Sequence, residues 1–468
     1  MKTKQKSPLA EGLLFRAEDY EMISYDFNNT IDLSVIPGAV GALAKLIHDL
    51  APRKQPEMAL AAALVIAGYH AAKTGTKLPS GLTPAVRFIC CAPTQAGKDF
   101  PMKQCRKLTK ALPKPRSDKD LVQMTVETKG KMTMVIDEVH SFFGNTLNGK
   151  SSYESNLGPL FLELCTSDEL HFGGGRGKFA REYIAELDEK MSKIEKKWSK
   201  TGEEHLAKNE PEFKKLLEEK DMIENGIQDF ALNFMGVTTD TAAGIGTILT
   251  EDNEVNGMSS RLLVLKSSSR RPRADQTIFE LCIGKRQAKP EINVEFPISG
   301  RNLTVDSHAE EFIYRCVTAQ EDQVEDGDNL VGRSMVSLMD ISGLIAFGCG
   351  NNFISLKDVK IAKAIIDRCI HDSRTFLEIS RGDGKRSDLV REFESKIPTG
   401  GRFIAVSKIK GNMTRGVKSK WGELGVKYNT RQKCSDWAEH IAVELSKTGN
   451  YEVLEGARGG KQIRRTEG

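Results

Sequence analysis

The chain has 468 residues, of which 39% are apolar and 28% charged, and its net charge is only +4. This composition supports a buried core, argues against wholesale disorder, and at this length implies about three domains. The longest apolar run, Met58 to Ala72, falls short of the roughly 20 residues of a bilayer span, and the basic Met1–Ser7 end lacks the apolar segment of a secretory leader, so the expectation is a cytoplasmic protein with no membrane partner.

Residues 1–27 carry no periodic pattern and read as a tail. A helical N-terminal region is expected over 28–81. Its first helix opens at Ile36-Pro37-Gly38 with apolar Val40, Leu43, Ile47 and Leu50, and its second spans Glu57 to Lys73 before the Pro79-Ser80-Gly81 turn. The period then changes. Ala85 to Cys91 is a short apolar strand, followed by a basic helix from Phe100 to about Ala111. Further apolar strands are predicted at Met132–Ile136, Phe230–Val237 and Leu262–Leu265. Apolar strands separated by helices point to a parallel sheet covered on both faces, so 82–275 reads as one α/β domain. The nine cysteines form no CxxC pair and no Cys/His cluster at metal spacing, which suits free thiols in a reducing compartment.

Within that domain, Gly173 to Lys178 leads into a charge-dense stretch split by Pro211. The expectation is a helical hairpin inserted over about 173–229 and projecting from the core. Helices follow near 307–322, 332–348 and 356–379, forming a helical lid over 300–385; Ser355 and Asp358 have capping-box spacing at the start of the last. The final segment, 386–468, reads as short helices and a basic β-hairpin, a winged-helix-like pattern. From Gly401 onward it holds fourteen Lys/Arg against seven Asp/Glu, a larger net positive charge than that of the whole chain, as suits a nucleic-acid contact or simply a soluble surface.

The first chemical constellation follows the strand at Ala85–Cys91. Ala92-Pro93-Thr94-Gln95-Ala96-Gly97-Lys98-Asp99 places a glycine-containing loop between a strand and a helix, which is how backbone N–H groups, a helix N-terminus and one ammonium come to cradle a triphosphate. Gly97 allows close backbone approach, and Lys98 reaches the β- and γ-phosphates. The residue after the lysine, usually a Ser or Thr that binds Mg²⁺, is Asp99. Its carboxylate can bind Mg²⁺ directly or through water, or weaken the site by adding negative charge. The second constellation lies 39 residues beyond Lys98, where an apolar strand ends in Asp137-Glu138. Asp137 is expected to hold Mg²⁺, and Glu138 to polarise the attacking water as general base. Two carboxylates there place the chemistry at the carboxyl edge of the sheet.

Thr238 and Thr239 end the next strand. They can sense the γ-phosphate, or Thr239 or Asp240 can cap a helix over 240–248. Arg261 precedes the fourth strand and is the candidate for completing the site of a neighbouring subunit, with Arg270, Arg271 and Arg273 as competitors. For nucleic acid, the candidates are Arg176 and Lys178 in the glycine-rich loop, and Lys408, Lys410, Arg415, Lys418, Lys420, Arg458, Lys461, Arg464 and Arg465 in the basic segment.

These motifs, in this order over 34–380, resemble the helicase-like ATPases of phages and mobile elements that occur beside or fused to primases. The features that carry the resemblance are Ile36-Pro37-Gly38 through Lys73, Gln95-Ala96-Gly97-Lys98-Asp99 with its acidic residue after the lysine, the Asp137-Glu138 strand, Gly257–Leu263 with its arginine, and Ser355-Leu356-Lys357-Asp358. The resemblance implies a P-loop NTPase core of the AAA+/RecA-like kind, with ATP and Mg²⁺ as cofactors and a homo-hexameric ring translocating on single-stranded or forked DNA during replication of a mobile genome. No primase active site is identifiable, so a primase or other replication protein would be a separate chain. Val135 to His140 also resembles the DExH box of two-lobed helicases, in which His140 would couple ATP to nucleic acid, but that reading requires a second lobe that the sequence after 270 does not supply. Two other functions fit the same residues: a helicase loader or protein-remodelling ATPase, and a replication initiator that binds nucleotide without hydrolysing it.

Overall fold

A computed structural model describes residues 27, 30–147, 157–166, 169–172, 177–200, 207–241, 244–249, 259–267, 292–325, 330–380, 393, 395–398, 402–412, 439, 441–443, 445–446, 451–455 and 460–465. The chain divides into two compact units, one ending at Arg374 and one beginning at Thr375.

The first unit is mixed α/β and is organised by a four-stranded parallel sheet in the order β2-β3-β1-β4. Its strands are β1 (Arg87–Cys91), β2 (Lys131–Ile136), β3 (Ala231–Thr238) and β4 (Leu263–Lys266). β3 is buried at every position, as its unbroken apolar run requires, because both faces of the sheet are covered. The pleat sorts its residues. Met235 and Val237 join the core shared with α1 (Gly38–Leu50) and α2 (Pro56–Thr74). On the opposite face Phe234 meets Phe143 and Phe161 edge-to-face, at centroid separations of 6.4 and 5.2 Å. Phe143 belongs to α5 (Val139–Leu147) and Phe161 to α6 (Leu157–Leu164).

The N-terminal helices form as the sequence predicts. α1 buries Val40, Leu43 and Ile47, while Leu50 is half-buried. α2 is apolar on all sides and correspondingly buried, lying directly on the sheet. Its Gly68 is where helix and strand come closest: a Cβ there would sit 2.0 Å from Asn233 Oδ1. That oxygen accepts the Val86 N–H at 3.1 Å, so Asn233 pins the start of β1 from within the sheet.

α3 (Asp99–Thr109) follows the phosphate-loop motif. α4 (Asp118–Glu127), capped by Ser117 accepting the Asp120 N–H, has no counterpart in the sequence reading. The charge-dense stretch forms two helices, α7 (Gly177–Ser199) and α8 (Pro211–Asn225), with Pro211 starting the second. They are joined by Trp198 Nε1 donating to Glu210 at 2.8 Å and Lys220 pairing with Asp188 at 2.8 Å. The pair does not stand clear of the core: α8 packs on α4, and Glu218 pairs with Lys129.

β5 (Thr304–Val305) and β6 (Phe353–Ile354) form a small parallel pair. α9 (Ser307–Glu325), α10 (Ser334–Gly348) and α11 (Leu356–Ser380) fall where the periodicity predicts helices. The capping box is present: Asp358 accepts the Ser355 N–H at 2.9 Å, and Ser355 Oγ accepts the Asp358 N–H at 3.3 Å. Leu338, Ile341, Leu344 and Ile345 of α10 share one hydrophobic core with α1 and α2. Near the end of β4, the buried Arg368 of α11 pairs with Asp372 at 2.8 Å and donates to Lys266 O at 2.8 Å and Phe27 O at 2.7 Å.

The second unit contains an antiparallel sheet, β7 (Ile404–Ala405), β9 (Lys461–Arg465) and β8 (Tyr451–Glu455), with α12 (Val406–Asn412) following β7. Its core gathers Phe393, Ile397, Val406, Ile409, Ile441, Leu445 and Ile463. Among the described residues no helix is long and apolar enough to cross a membrane.

Gly68→Ala tests the seating of α2. The added methyl meets a buried amide with no room to yield, so the expected cost is about 1–3 kcal/mol in chemical denaturation. An unchanged midpoint would show that α2 does not press on Asn233.

Candidate functional site at the carboxyl edge of the sheet

All four strands run the same way, so their carboxyl ends share one edge. β1 delivers Ala92–Lys98, β2 delivers Asp137 and Glu138, and β3, lying between them, ends at Thr238. With neighbouring strands about 4.8 Å apart, the lysine-bearing and carboxylate-bearing strands are separated by about 10 Å.

The loop is held from several sides. Gln95 and Gly97 have φ values of 63° and 97°, and the N–H of Ala96 donates to Pro93 O at 3.2 Å. A Cβ on Gly97 would lie 2.5 Å from Cβ of Arg53 and 3.0 Å from its carbonyl oxygen, so the segment joining α1 and α2 closes over the loop and excludes any larger residue. Gln55, 1% exposed, donates to Ala96 O at 2.8 Å, and its own Oε1 accepts from Ser267 at the end of β4. Ser267 N–H in turn donates to Cys91 O at 2.8 Å. Gln55 thus braces the Ala92–Lys98 loop against the far strand. Its signal in the sequence was nothing more than an amide preceding Pro56.

Lys98 extends to the end of β3, where its Nζ donates to Thr238 O at 3.3 Å; the Ala92 N–H shares that acceptor at 3.3 Å. Thr238 itself is buried, and its hydroxyl lies 3.0 Å from Nδ1 of His140 in the first turn of α5. Thr239 is half-buried with Oγ1 3.0 Å from Thr241 Oγ1. Among the described residues of the helix expected over 240–248, only a 3-10 turn, Ile245–Thr247, is formed; at Gly244 the backbone folds tightly onto Thr239, where a Cβ would lie 2.2 Å from the hydroxyl.

Asp137 and Glu138 are exposed. Asp137 Oδ1 accepts the Glu138 N–H at 2.9 Å, and Glu138 adopts φ 48° while its carbonyl accepts the Ser141 N–H at 2.8 Å. A left-handed non-glycine residue is strained by roughly 1 kcal/mol, a cost found disproportionately at functional sites. Asp99 is exposed at the head of α3; Pro93 and Gly97 are half-buried, and Thr94 and Gln95 exposed. Among the described residues no ion pair occupies Asp99, Asp137 or Glu138. The three carboxylates are therefore available as hard oxygen ligands or bases.

Arg261 lies elsewhere. It closes a 3-10 turn, Ser259–Arg261, immediately before β4 and so stands at the amino edge of the sheet. β1 alone spans about 13 Å between the two edges. Arg261 cannot meet the Ala92–Lys98 loop of its own chain. Arg270, Arg271, Arg273, Arg176, Arg415, Lys418, Lys420 and Arg458 lie outside the described residues, as does the side chain of Lys178, which enters the first turn of α7. Lys461 sits 4.0 Å from Glu439. Arg464 pairs with Glu452 at 2.5 Å and stacks on Phe403 at 4.5 Å, so it secures the hairpin instead of extending from it.

No protein-family model and no curated protein matches the chain, and the resemblance rests on the residues quoted above.

Gln55→Ala removes two buried hydrogen bonds and leaves the Ala96 carbonyl without its Gln55 donor. The expected loss is about 1–3 kcal/mol in denaturant unfolding. A variant as stable as the parent would show that the loop does not depend on this brace.

Proposed function

We propose that the chain hydrolyses ATP at the carboxyl edge of its parallel sheet, as a P-loop NTPase of the AAA+/RecA-like kind. The observation that carries this reading is the reach of Lys98 across to the end of β3, one strand short of the two exposed carboxylates of β2. The N–H groups of the Ala92–Lys98 loop and the start of α3 cradle the phosphates, and the ammonium of Lys98 leaves the Thr238 carbonyl for the β- and γ-oxygens. Asp137 and Asp99 are the residues that would hold Mg²⁺, whose chemistry here is to neutralise phosphate charge. Glu138 accepts the proton of the attacking water. The buried Thr238 hydroxyl, fixed by His140, orients the end of β3 between lysine and carboxylates. Arg261, at the opposite edge, acts on the nucleotide of a neighbouring copy.

Coupling of turnover to movement along DNA, in a ring of identical subunits, rests on the family resemblance and on the positive charge of 401–468. Under this reading the helices of 307–374 serve as the lid, and the second unit, with three antiparallel strands beside short helices, serves as a winged-helix-like module. The two-lobed reading finds no support: after residue 300 the described residues contain no second extended parallel sheet.

Glu138→Gln should reduce ATP turnover by about 10²–10⁴-fold while nucleotide binding persists; Lys98→Ala should lose binding as well. Unchanged phosphate release in Glu138→Gln would remove that residue from its role. ATP hydrolysis is also expected to rise on addition of single-stranded DNA and to lose that stimulation at high salt. A rate indifferent to DNA would favour a loader or protein-remodelling activity.

A further inference from the structure

The amino edge of the same sheet holds a second concentration of charge. Arg87 begins β1, Arg261 precedes β4, and Arg333 caps α10. All three line a cavity of about 180 Å³, with Cys165 and Asp340 also in its wall. Asp340 is buried, accepts the Ala85 N–H at 3.1 Å, and is pushed up to about 6 by its burial, against the pull of Arg87. Burial, and then the proximity of Arg261 and Arg87, lowers the proton affinity of Arg333. Three guanidinium groups therefore face one carboxylate that itself resists ionisation. The Nε–H of Arg87 is buried without an acceptor, and neither Arg87 nor Arg333 has an ion-pair partner among the described residues.

Arg87 and Arg333 are costly there unless something negative answers them. The volume is far above the roughly 15 Å³ that one water needs, so a tetrahedral oxyanion or a diphosphate fits. Guanidinium forks match such oxyanions in geometry. With Asp340 ionised, Arg87 and Arg333 together still leave the wall net positive, as an anion requires. Ser337, in the first turn of α10, also lines the space, where the helix N-terminus adds favourable potential.

We propose that Arg87, Arg261 and Arg333 form a second anion site, separate from the phosphate loop, that binds a phosphate-class dianion. Free phosphate and the terminal phosphate of a nucleotide held by a second copy of the chain share this chemistry.

The test uses the full chain carrying Lys98→Ala, so that the phosphate loop does not supply the binding. Calorimetric titration with inorganic phosphate, and separately with pyrophosphate, at matched ionic strength is expected to show one saturable site per chain. Adding Arg87→Gln or Arg333→Gln should weaken it about tenfold or more, the loss of a charge-assisted hydrogen bond. Glutamine relieves like-charge repulsion, so each variant's anion-free Tm is expected to hold or rise while the phosphate-induced rise disappears. Should a glutamine variant fail to fold, Arg333→Lys keeps the charge, removes the fork, and is expected to bind phosphate more weakly. The source is separated by mixing Lys98→Ala, which has the arginines, with Arg333→Gln, which has the loop. Recovery of ATP hydrolysis identifies a second copy; titratable phosphate without recovery identifies the free anion. The mixing arm rests on the proposed ATPase and the titration does not, so the two can fail separately. Absence of both saturable binding and recovery overturns the site, as does phosphate binding by the unaltered chain that Lys98→Ala abolishes and the arginine variants preserve.

Discussion

The parallel alignment of four short strands is the constraint on which the rest depends. Parallel pairing sends every strand end the same way, so residues far apart in the chain collect at one edge without any loop having to reach across the fold. The insertion of β3 between β1 and β2 sets the spacing of the candidate site. Were the two motif-bearing strands adjacent, their ends would be about 5 Å apart instead of about 10 Å. With a strand between them, the lysine meets a backbone carbonyl, and the carboxylates remain exposed.

The N-terminal helices stabilise this edge as much as they cover the sheet. Gly68 lets α2 settle onto Asn233, which holds the start of β1, while Arg53 and Gln55 at the foot of α2 close over the loop that follows β1. A single helix therefore fixes both ends of the phosphate-loop strand. The buried Arg368–Asp372 pair performs the corresponding task at β4, because Asp372 accepts the Lys266 N–H at 2.7 Å and Arg368 donates to the Lys266 carbonyl. Burial raises the proton affinity of Asp372 in spite of these bonds, so the pair gives position more than stability.

Much of this was legible in the sequence. The strands announced themselves as short apolar runs, and the polar residues that follow or close them, Lys98 in the loop after β1, Asp137 after β2 and Thr238 at the end of β3, mark the carboxyl edge. Helix starts at Pro56, Pro211 and Ser355 were readable from local capping chemistry. What local pattern could not supply was order and partnership. Nothing in the sequence of β3 says that it lies between β1 and β2. Gln55 gives no sign that it reaches Ala96, 41 positions away. α4 gives only a weak sequence signal because polar residues interrupt its apolar stripe of Leu121, Val122, Met124 and Val126. Arg87 reads as part of a strand because its neighbours are apolar; only the packing of α6 and α10 around it forms the cavity it lines.

The two edges of the sheet present different candidate groups. Asp137, Glu138 and Lys98 stand at the carboxyl edge, and Arg87, Arg261 and Arg333 line a cavity at the amino edge. Within one chain these groups are held apart by the length of the strands, so neither edge can answer the other. A contact between copies that turns one chain's amino edge toward another's carboxyl edge is heterologous by construction, and a heterologous contact either closes into a ring or grows into a filament. In the proposed motor, the same directionality that gathers the catalytic groups would leave each site lacking an arginine that only a neighbour can provide, which makes assembly a condition of turnover and not merely a shape.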